Sequence, residues 1–332
     1  MKLNKIFSDH MIFQANKQIR VFGEGTGTVS LEFVGKKVTK SIATDKWVIE
    51  LPALDYGGPY EMRVSLEDQI ITLRDIYIGD VYLLAGQSNI ELSVEGSNYP
   101  VELCEDYPLA RCFMQDKLTV SPHLKSADGW LVCQKDTAKW WSAIGYHLAL
   151  KISKKKNTAV GLVFCYKGAS VIESWLPEEI TSKPEYRIPF EQRYLSKSTE
   201  KDSPHNVSGA LYNAMQQKIV PYSFSAVIWY QGESNTGDGD CKIYAGLLKE
   251  LIIRWRKDFM DKKLLFIVVQ LADYDARKDS AWKKIQDIQT KIANEVENVI
   301  SVRSADICET SDIHPPTKTA LAERIAEVIL LN

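Results

Sequence analysis

Val81-Tyr82-Leu83-Leu84-Ala85-Gly86-Gln87-Ser88-Asn89 is the stretch whose reading decides the fold. Its first five residues form an unbroken apolar run. Such a run fits a strand covered on both faces, as in a parallel sheet held between helices. Runs of the same kind occur at 159–165, 226–230, 264–271 and 299–302. Helical periodicities separate or follow them. Tyr244, Leu247, Leu248, Leu251, Ile252 and Trp255 recur at i, i+3, i+4 and i+7; Trp282, Ile285, Ile288 and Ile292 have a similar helical spacing, as do Leu321, Ile325, Val328 and Ile329. Strands alternating with helices predict a doubly wound α/β sheet, whose functional groups collect beyond the carboxyl ends of the strands.

Upstream the pattern is different. Tyr60, Met62, Val64 and Leu66 alternate with Glu61, Arg63, Ser65 and Glu67, and shorter alternations run through Val29, Leu31, Phe33 and Trp47, Ile49, Leu51. A period of two gives one core face and one wet face. Glycine-rich breaks separate these runs, so residues 1–77 are expected to form a small antiparallel sandwich ahead of a catalytic domain at 78–332. Residues 95–126 and 183–208 are polar and irregular and read as loops or small insertions. There are no internal repeats.

The chain has 332 residues, 45% hydrophobic and 25% charged, with a net charge of −2. These are values of a globular protein. A nucleic-acid binder needs a surplus of Lys and Arg to meet phosphates, which this chain lacks. Lys154, Lys155 and Lys156 close an apolar-periodic stretch and fit a solvated helix C-terminus. The six cysteines (Cys104, Cys112, Cys133, Cys165, Cys241 and Cys308) have no metal-ligand spacing and are expected as buried thiols, with one or two disulfides as the competing state. No window approaches the roughly 20 apolar residues of a membrane span. The first ten residues lack the apolar core of a signal peptide. The expected location is cytoplasmic, unless a leader was removed from a longer precursor.

Three strand ends carry polar clusters. In Gly86-Gln87-Ser88-Asn89 a serine follows a buried strand on a turn, where its hydroxyl stands at the top of the sheet and its amide faces an oxyanion. The competing reading is a plain helix N-cap, which Ser and Asn also favour. In Tyr166-Lys167-Gly168-Ala169-Ser170 the glycine suits a close approach of backbone to ligand, or simply a turn. Trp229-Tyr230-Gln231-Gly232-Glu233-Ser234-Asn235 packs amides, a carboxylate and a hydroxyl around a glycine, and an amide donor there suits an oxyanion.

A base follows near the end of the chain, in Asp312-Ile313-His314-Pro315-Pro316. Pro315 disfavours the helical region for His314, and residues two apart in extended chain share a side, so the Asp312 and His314 side chains are expected to meet. A carboxylate so placed fixes the tautomer of a catalytic imidazole. Of the other histidines, His10 lies in the β-rich region, His147 in a helical pattern, and His123 and His205 in expected loops.

The motif series Gly86-Gln87-Ser88-Asn89, Trp141-Ser142-Ala143, Leu211-Tyr212-Asn213, Ile228-Trp229-Tyr230-Gln231-Gly232-Glu233-Ser234-Asn235 and Asp312-Ile313-His314-Pro315 resembles, in order, the sialate O-acetylesterase family of SGNH hydrolases. Ile6 to Gln14, Gly57-Gly58-Pro59-Tyr60 and Gly79-Asp80-Val81-Tyr82 extend the resemblance over nearly the whole chain. It implies an SGNH-hydrolase, flavodoxin-like three-layer parallel sheet. It also implies a nucleophile at Ser88, a base at His314 and an orienting acid at Asp312, with Asp306 as a rival in a structural position. Oxyanion donors would be the Ser88 and Gly168 amides and a side chain of the 231–235 segment. Gln231 is favoured there and Asn235 competes; Gln87 joins this substrate-binding set. No metal or cofactor is implied. This sequence departs from the family at Lys167 (beside Gly168, where a glycine pair is usual), at Ile90 for methionine, and at Gln286 for arginine.

The expected substrate is an acetylated sugar, foremost a sialate ester, with an acetylated xylan as the alternative alcohol. Tyr212, Trp229 and Tyr230 are candidate sugar-stacking rings, although core packing is the commoner role. A lipid or thioester hydrolase would want a long apolar groove, which the sequence does not signal. A non-catalytic carbohydrate-binding protein is the reading from another class, and the joint presence of Ser88, Asp312 and His314 argues against it. Oligomeric state is not legible.

Overall fold

The computed structural model describes residues 2–115, 129–196, 203–277 and 279–332, the side chains of 192–196 aside. His123, one of the loop histidines, lies outside them. The fold is mixed α/β around one large mixed sheet.

Eight strands come first: β1 (Lys2–Leu3), β2 (Ile12–Gln14), β3 (Ile19–Glu24), β4 (Gly27–Phe33), β5 (Lys36–Ile42), β6 (Lys46–Leu51), β7 (Gly57–Leu66) and β8 (Gln69–Gly86). The alternating segments are therefore strands, as their period requires: Met62, Val64 and Leu66 are buried while Glu61 and Arg63 are exposed. β1, β3 and β6 form an antiparallel three-stranded sheet. β4 pairs with β5 and β7, and β7 with the first part of β8. β8 is one continuous strand across positions 77 and 78. Its first part pairs with β7 and its second with the strands of the main sheet.

The later strands are β9 (Tyr107–Met114), β10 (Trp130–Cys133), β11 (Val160–Tyr166), β12 (Ala226–Tyr230), β13 (Leu265–Val269) and β14 (Val299–Val302). The order across the sheet is β10-β9-β11-β8-β12-β13-β14, with only β10 antiparallel to its neighbour. β8 is the switch point: the chain fills one side of it with β9 to β11, then crosses to the other side for β12 to β14. Crevices at such points hold ligands, because the flanking connections leave in opposite directions. Every residue of β11 and β12 is buried, as their unbroken apolar sequences require.

The three expected helical patterns are the helices Asp240–Asp258, Ser280–Glu295 and Thr319–Leu331. The first two pack on each other, and Thr319–Leu331 packs on Ala143–Lys156. That helix starts where the Ser142 side chain accepts from the Gly145 amide. It ends in the basic turn Lys154–Lys156 before a left-handed Asn157.

Two expectations need correction. The 95–126 segment is not wholly irregular: Tyr107–Met114 is β9, parallel to β11. Its signal is masked by Arg111, which is buried with its guanidinium over the Tyr77 ring and bonded to the carbonyls of His10 and Pro108. Within 183–208, Pro184–Ser196 is a helix despite Pro189. Pro184 occupies its first position, where no amide is needed. Tyr186 closes over Gly246 of the neighbouring helix, where a Cβ would lie 2.7 Å from its hydroxyl.

Candidate active site

The three polar clusters meet because their strands end in register. Gly86 of β8 stands opposite Tyr166 of β11 on one side and Tyr230 of β12 on the other. Gly86 has φ +135, and a Cβ on it would come 2.1 Å from the Tyr230 carbonyl oxygen. Only glycine lets the strands stay this close while the chain turns. Gln87 then donates its amide to the Tyr230 carbonyl at 3.0 Å, and the single helical turn Ser88–Glu91 begins.

The Ser88 hydroxyl lies 2.7 Å from His314 Nε2. His314 arrives on the long connection between β14 and Thr319–Leu331, with Pro315 and Pro316 behind it. Burial holds its imidazole below the ordinary histidine value, the Asp312 carboxylate opposes this, and the Lys318 cation adds to it. The ring is thus neutral at neutral pH and able to accept a proton from the serine.

Asp312 does not meet the ring as expected. It is exposed, and its carboxylate accepts from the backbone amide of His314 at 2.8 Å. A short side chain two residues back in a bend reaches the main chain more readily than the ring. Asp312 therefore shapes the His314 turn and acts on the imidazole through its charge. Asp306, its rival, is held by both guanidinium nitrogens of Arg324 at 2.7 and 3.0 Å.

Gly168 follows β11 and lies beside Ser88. A Cβ on it would lie 3.7 Å from Ser88 Cβ. Its amide donates at 2.6 Å to Glu91, a residue the sequence reading passed over. Glu91 lies one helical turn beyond Ser88, a spacing that puts both side chains on one face and that the motif itself contains.

The expected side-chain oxyanion donors turn inward. Gln231 is fully buried, and its amide nitrogen has three acceptors for two protons: Gln87 Oε1 at 3.1 Å, the Ser170 carbonyl at 3.0 Å and Asn235 Oδ1 at 2.8 Å. Asn235 is also fully buried, accepting from the Ile172 amide and donating to Glu173 at 3.0 Å. Gln87 Oε1 faces Gln231 and the amides of Gly232 and Ser234. These three residues tie the loops after β8, β11 and β12 together beneath the site. The candidate stacking rings are core residues: Trp229 and Tyr230 are fully buried and Tyr212 nearly so. Trp229 packs edge-on to Trp175 and Trp255.

A second missed group lies under His314. Asn89 donates to Glu233 at 2.5 Å and to the Ile313 carbonyl at 2.9 Å, and accepts from Lys318 Nζ at 2.7 Å. Lys318 is fully buried, which pushes its ammonium down to about 8. Burial likewise raises the Glu233 carboxyl above its ordinary value.

The other described histidines are occupied elsewhere: His10 with Asp75 at 2.7 Å and His147 with Thr319 at 3.1 Å. His205 is half-buried, within electrostatic reach of Lys167 and Glu91. The six cysteines are buried free thiols. Among the described residues, no group of three His, Cys, Asp or Glu is placed to hold a metal ion. No helix there is long and apolar enough to cross a membrane.

A serine hydroxyl against a histidine nitrogen, at the carboxyl ends of parallel strands, is the arrangement of serine-dependent acyl hydrolases. The chain belongs to the carbohydrate esterase, sialic acid-specific acetylesterase family, whose model matches residues 78–330. It is similar to the sialate O-acetylesterases of Rattus norvegicus (26% identity, 92% of this chain and 68% of that protein) and Homo sapiens (27%, 90% and 64%). It thus spans about two thirds of the length of these relatives. Among solved structures, a carbohydrate acetylesterase from Xanthomonas citri superposes with a TM-score of 0.85 at 28% identity, covering 98% of this chain and 73% of that one. NanS shares the fold, with a TM-score of 0.50 at 15% identity over 76% of this chain and 96% of that one.

Proposed function

We propose that this chain is a sialate O-acetylesterase that hydrolyses its esters through an acetyl-serine intermediate. The observation that carries this reading is the 2.7 Å approach of Ser88 Oγ and His314 Nε2 at the switch point of the sheet. In this reading residues 1–77 are a β-sandwich unit and 78–332 an SGNH-hydrolase domain.

His314 accepts the Ser88 proton as Oγ attacks the acetyl carbonyl. The tetrahedral oxyanion is held by the Gly168 amide and by the Ser88 amide, which opens its helical turn and so has no intrahelical acceptor. Glu91 yields the Gly168 amide to the incoming oxygen. The C–O bond to the sugar then breaks, and its oxygen takes the proton from His314. Water, deprotonated by His314, attacks the acetyl-enzyme; acetate leaves as Ser88 recovers its proton.

The name of the Xanthomonas citri relative, a carbohydrate acetylesterase without a stated sugar, favours a second reading in which the alcohol is another acetylated carbohydrate. Acetate release from O-acetylated sialic acid and from acetylated xylo-oligosaccharide, compared as kcat/KM, separates the two. Preference for the sialate ester supports the first reading; preference for the xylo-oligosaccharide replaces it with the second.

A further inference from the structure

A lysine that is fully buried needs a reason, because removing an ammonium from water is costly unless its bonds are replaced. Lys318 stands four residues beyond His314. Its Nζ reaches Asn89 Oδ1 at 2.7 Å and lies 5.8 Å from the Tyr230 ring centroid. Asn89, next in chain to Ser88, uses its other end to hold the Ile313 carbonyl at 2.9 Å, next in chain to His314. One amide side chain thus bridges the neighbour of each member of the reacting pair, and Lys318 anchors that amide. Glu233 fixes the same Asn89 nitrogen from the end of β12, and its Oε2 is buried without a partner among the described residues. The loop itself is closed by the Thr317 amide donating to Glu309 at 3.1 Å.

We propose that Lys318 is a positioning residue for the reaction: a buried cation that clamps Asn89, which in turn holds the His314 loop so that Nε2 faces Ser88 Oγ. This rests on the reading of Ser88 and His314 as nucleophile and base. The charge has a second effect on the same ring. The titratable groups around Lys318 are Glu233 after β12, and the Cys308 thiol, Glu309 and Asp312 on its own connection; those acting on His314 are Asp312 and Lys318. Asp312 favours the imidazolium and Lys318 disfavours it. Lys318 therefore keeps the base unprotonated to lower pH than Asp312 alone would allow.

The test uses the full chain and p-nitrophenyl acetate, with kcat and KM followed from about pH 5 to about pH 9 across the range where a histidine titrates. Lys318→Met is expected to lower kcat about 10- to 100-fold, the size of effect that a misplaced reacting group produces. KM should stay within about twofold, as for a loss confined to the transition state. Its acid limb should move to higher pH. Asn89→Ser breaks the clamp and leaves the cation, so kcat is expected to fall with the acid limb unmoved. Lys318→Met with a wild-type acid limb, whatever its kcat or melting temperature, would overturn the proposal. Where Lys318→Met does not fold, Asn89→Ser decides: a wild-type kcat overturns the clamp and a loss supports it. Ser88→Ala runs beside them. If it is inactive, failure of the Lys318 outcomes bears on the clamp alone; if it keeps its rate, both readings fall.

Discussion

The backbone amide of Gly168 holds the carboxylate of Glu91 at 2.6 Å, beside the Ser88 side chain. The amide proposed to bind the reaction's oxyanion is thus already bound to an anionic oxygen of the chain. An amide that binds carboxylate this closely is suited to an oxyanion, and the carboxylate must leave before one forms. Glu91→Ala is expected to raise kcat/KM for p-nitrophenyl acetate about fivefold, the equivalent of a competing hydrogen bond of about 1 kcal/mol. A tenfold fall instead would mean that Glu91 supports the Gly168 loop or touches substrate.

Asp312 bonds the His314 backbone and reaches the ring only through its field. Asn at this position keeps an acceptor for that amide and removes the charge. Asp312→Asn is expected to lower kcat by less than about tenfold, against the roughly 10⁴-fold loss seen where the acid fixes the ring tautomer. The sign of the pH effect follows from the same field. Activity needs neutral His314, so it is present above the folded pKa and is lost as pH falls through it. The wild-type acid limb should lie below the ordinary histidine value, because burial holds the ring there. Without Asp312, which opposes that shift, the limb should move lower still. A kcat/KM profile whose limb rises in Asp312→Asn would refute this assignment.

Gln231 separates an oxyanion donor from a structural tie. Its side-chain nitrogen faces Gln87, Ser170 and Asn235, and its side-chain oxygen Oε1 accepts from the Tyr244 hydroxyl at 3.1 Å. Gln231→Leu leaves those buried partners unpaired, which typically costs about 1–3 kcal/mol. Urea unfolding should show that loss, and kcat of the folded fraction should fall by less than about tenfold. A donor to the oxyanion would instead cost about 10²–10³ in kcat with stability little changed.

The sheet was legible because its strands are buried on both faces and carry almost nothing polar, so the runs at 226–230 and 299–302 match β12 and β14. His314, on the long connection after β14, was marked only by its Asp312-Ile313-His314-Pro315 motif; the position of Ser88 was legible for a related reason. Polar residues directly after such strands have one place to go, the rim where Tyr166, Gly86 and Tyr230 stand in register. What stayed hidden needed partners in space. The strand Tyr107–Met114 was obscured by Arg111, whose charge reads as surface until Tyr77 and the His10 carbonyl are seen around it. Gln231 and Asn235 carry amides suited to an oxyanion, and nothing local tells whether they face the cleft or each other. Lys318 reads as one more cation at a helix start until its burial is known.

The central claim, that Ser88 is the acylated nucleophile, is tested most directly by the initial rate of p-nitrophenyl acetate hydrolysis for wild type and Ser88→Ala at neutral pH. Removing the group that forms the covalent intermediate is expected to lower kcat by at least about 10³-fold, with the folded state retained because the serine side chain carries no core packing. Equal rates for the two proteins would contradict it.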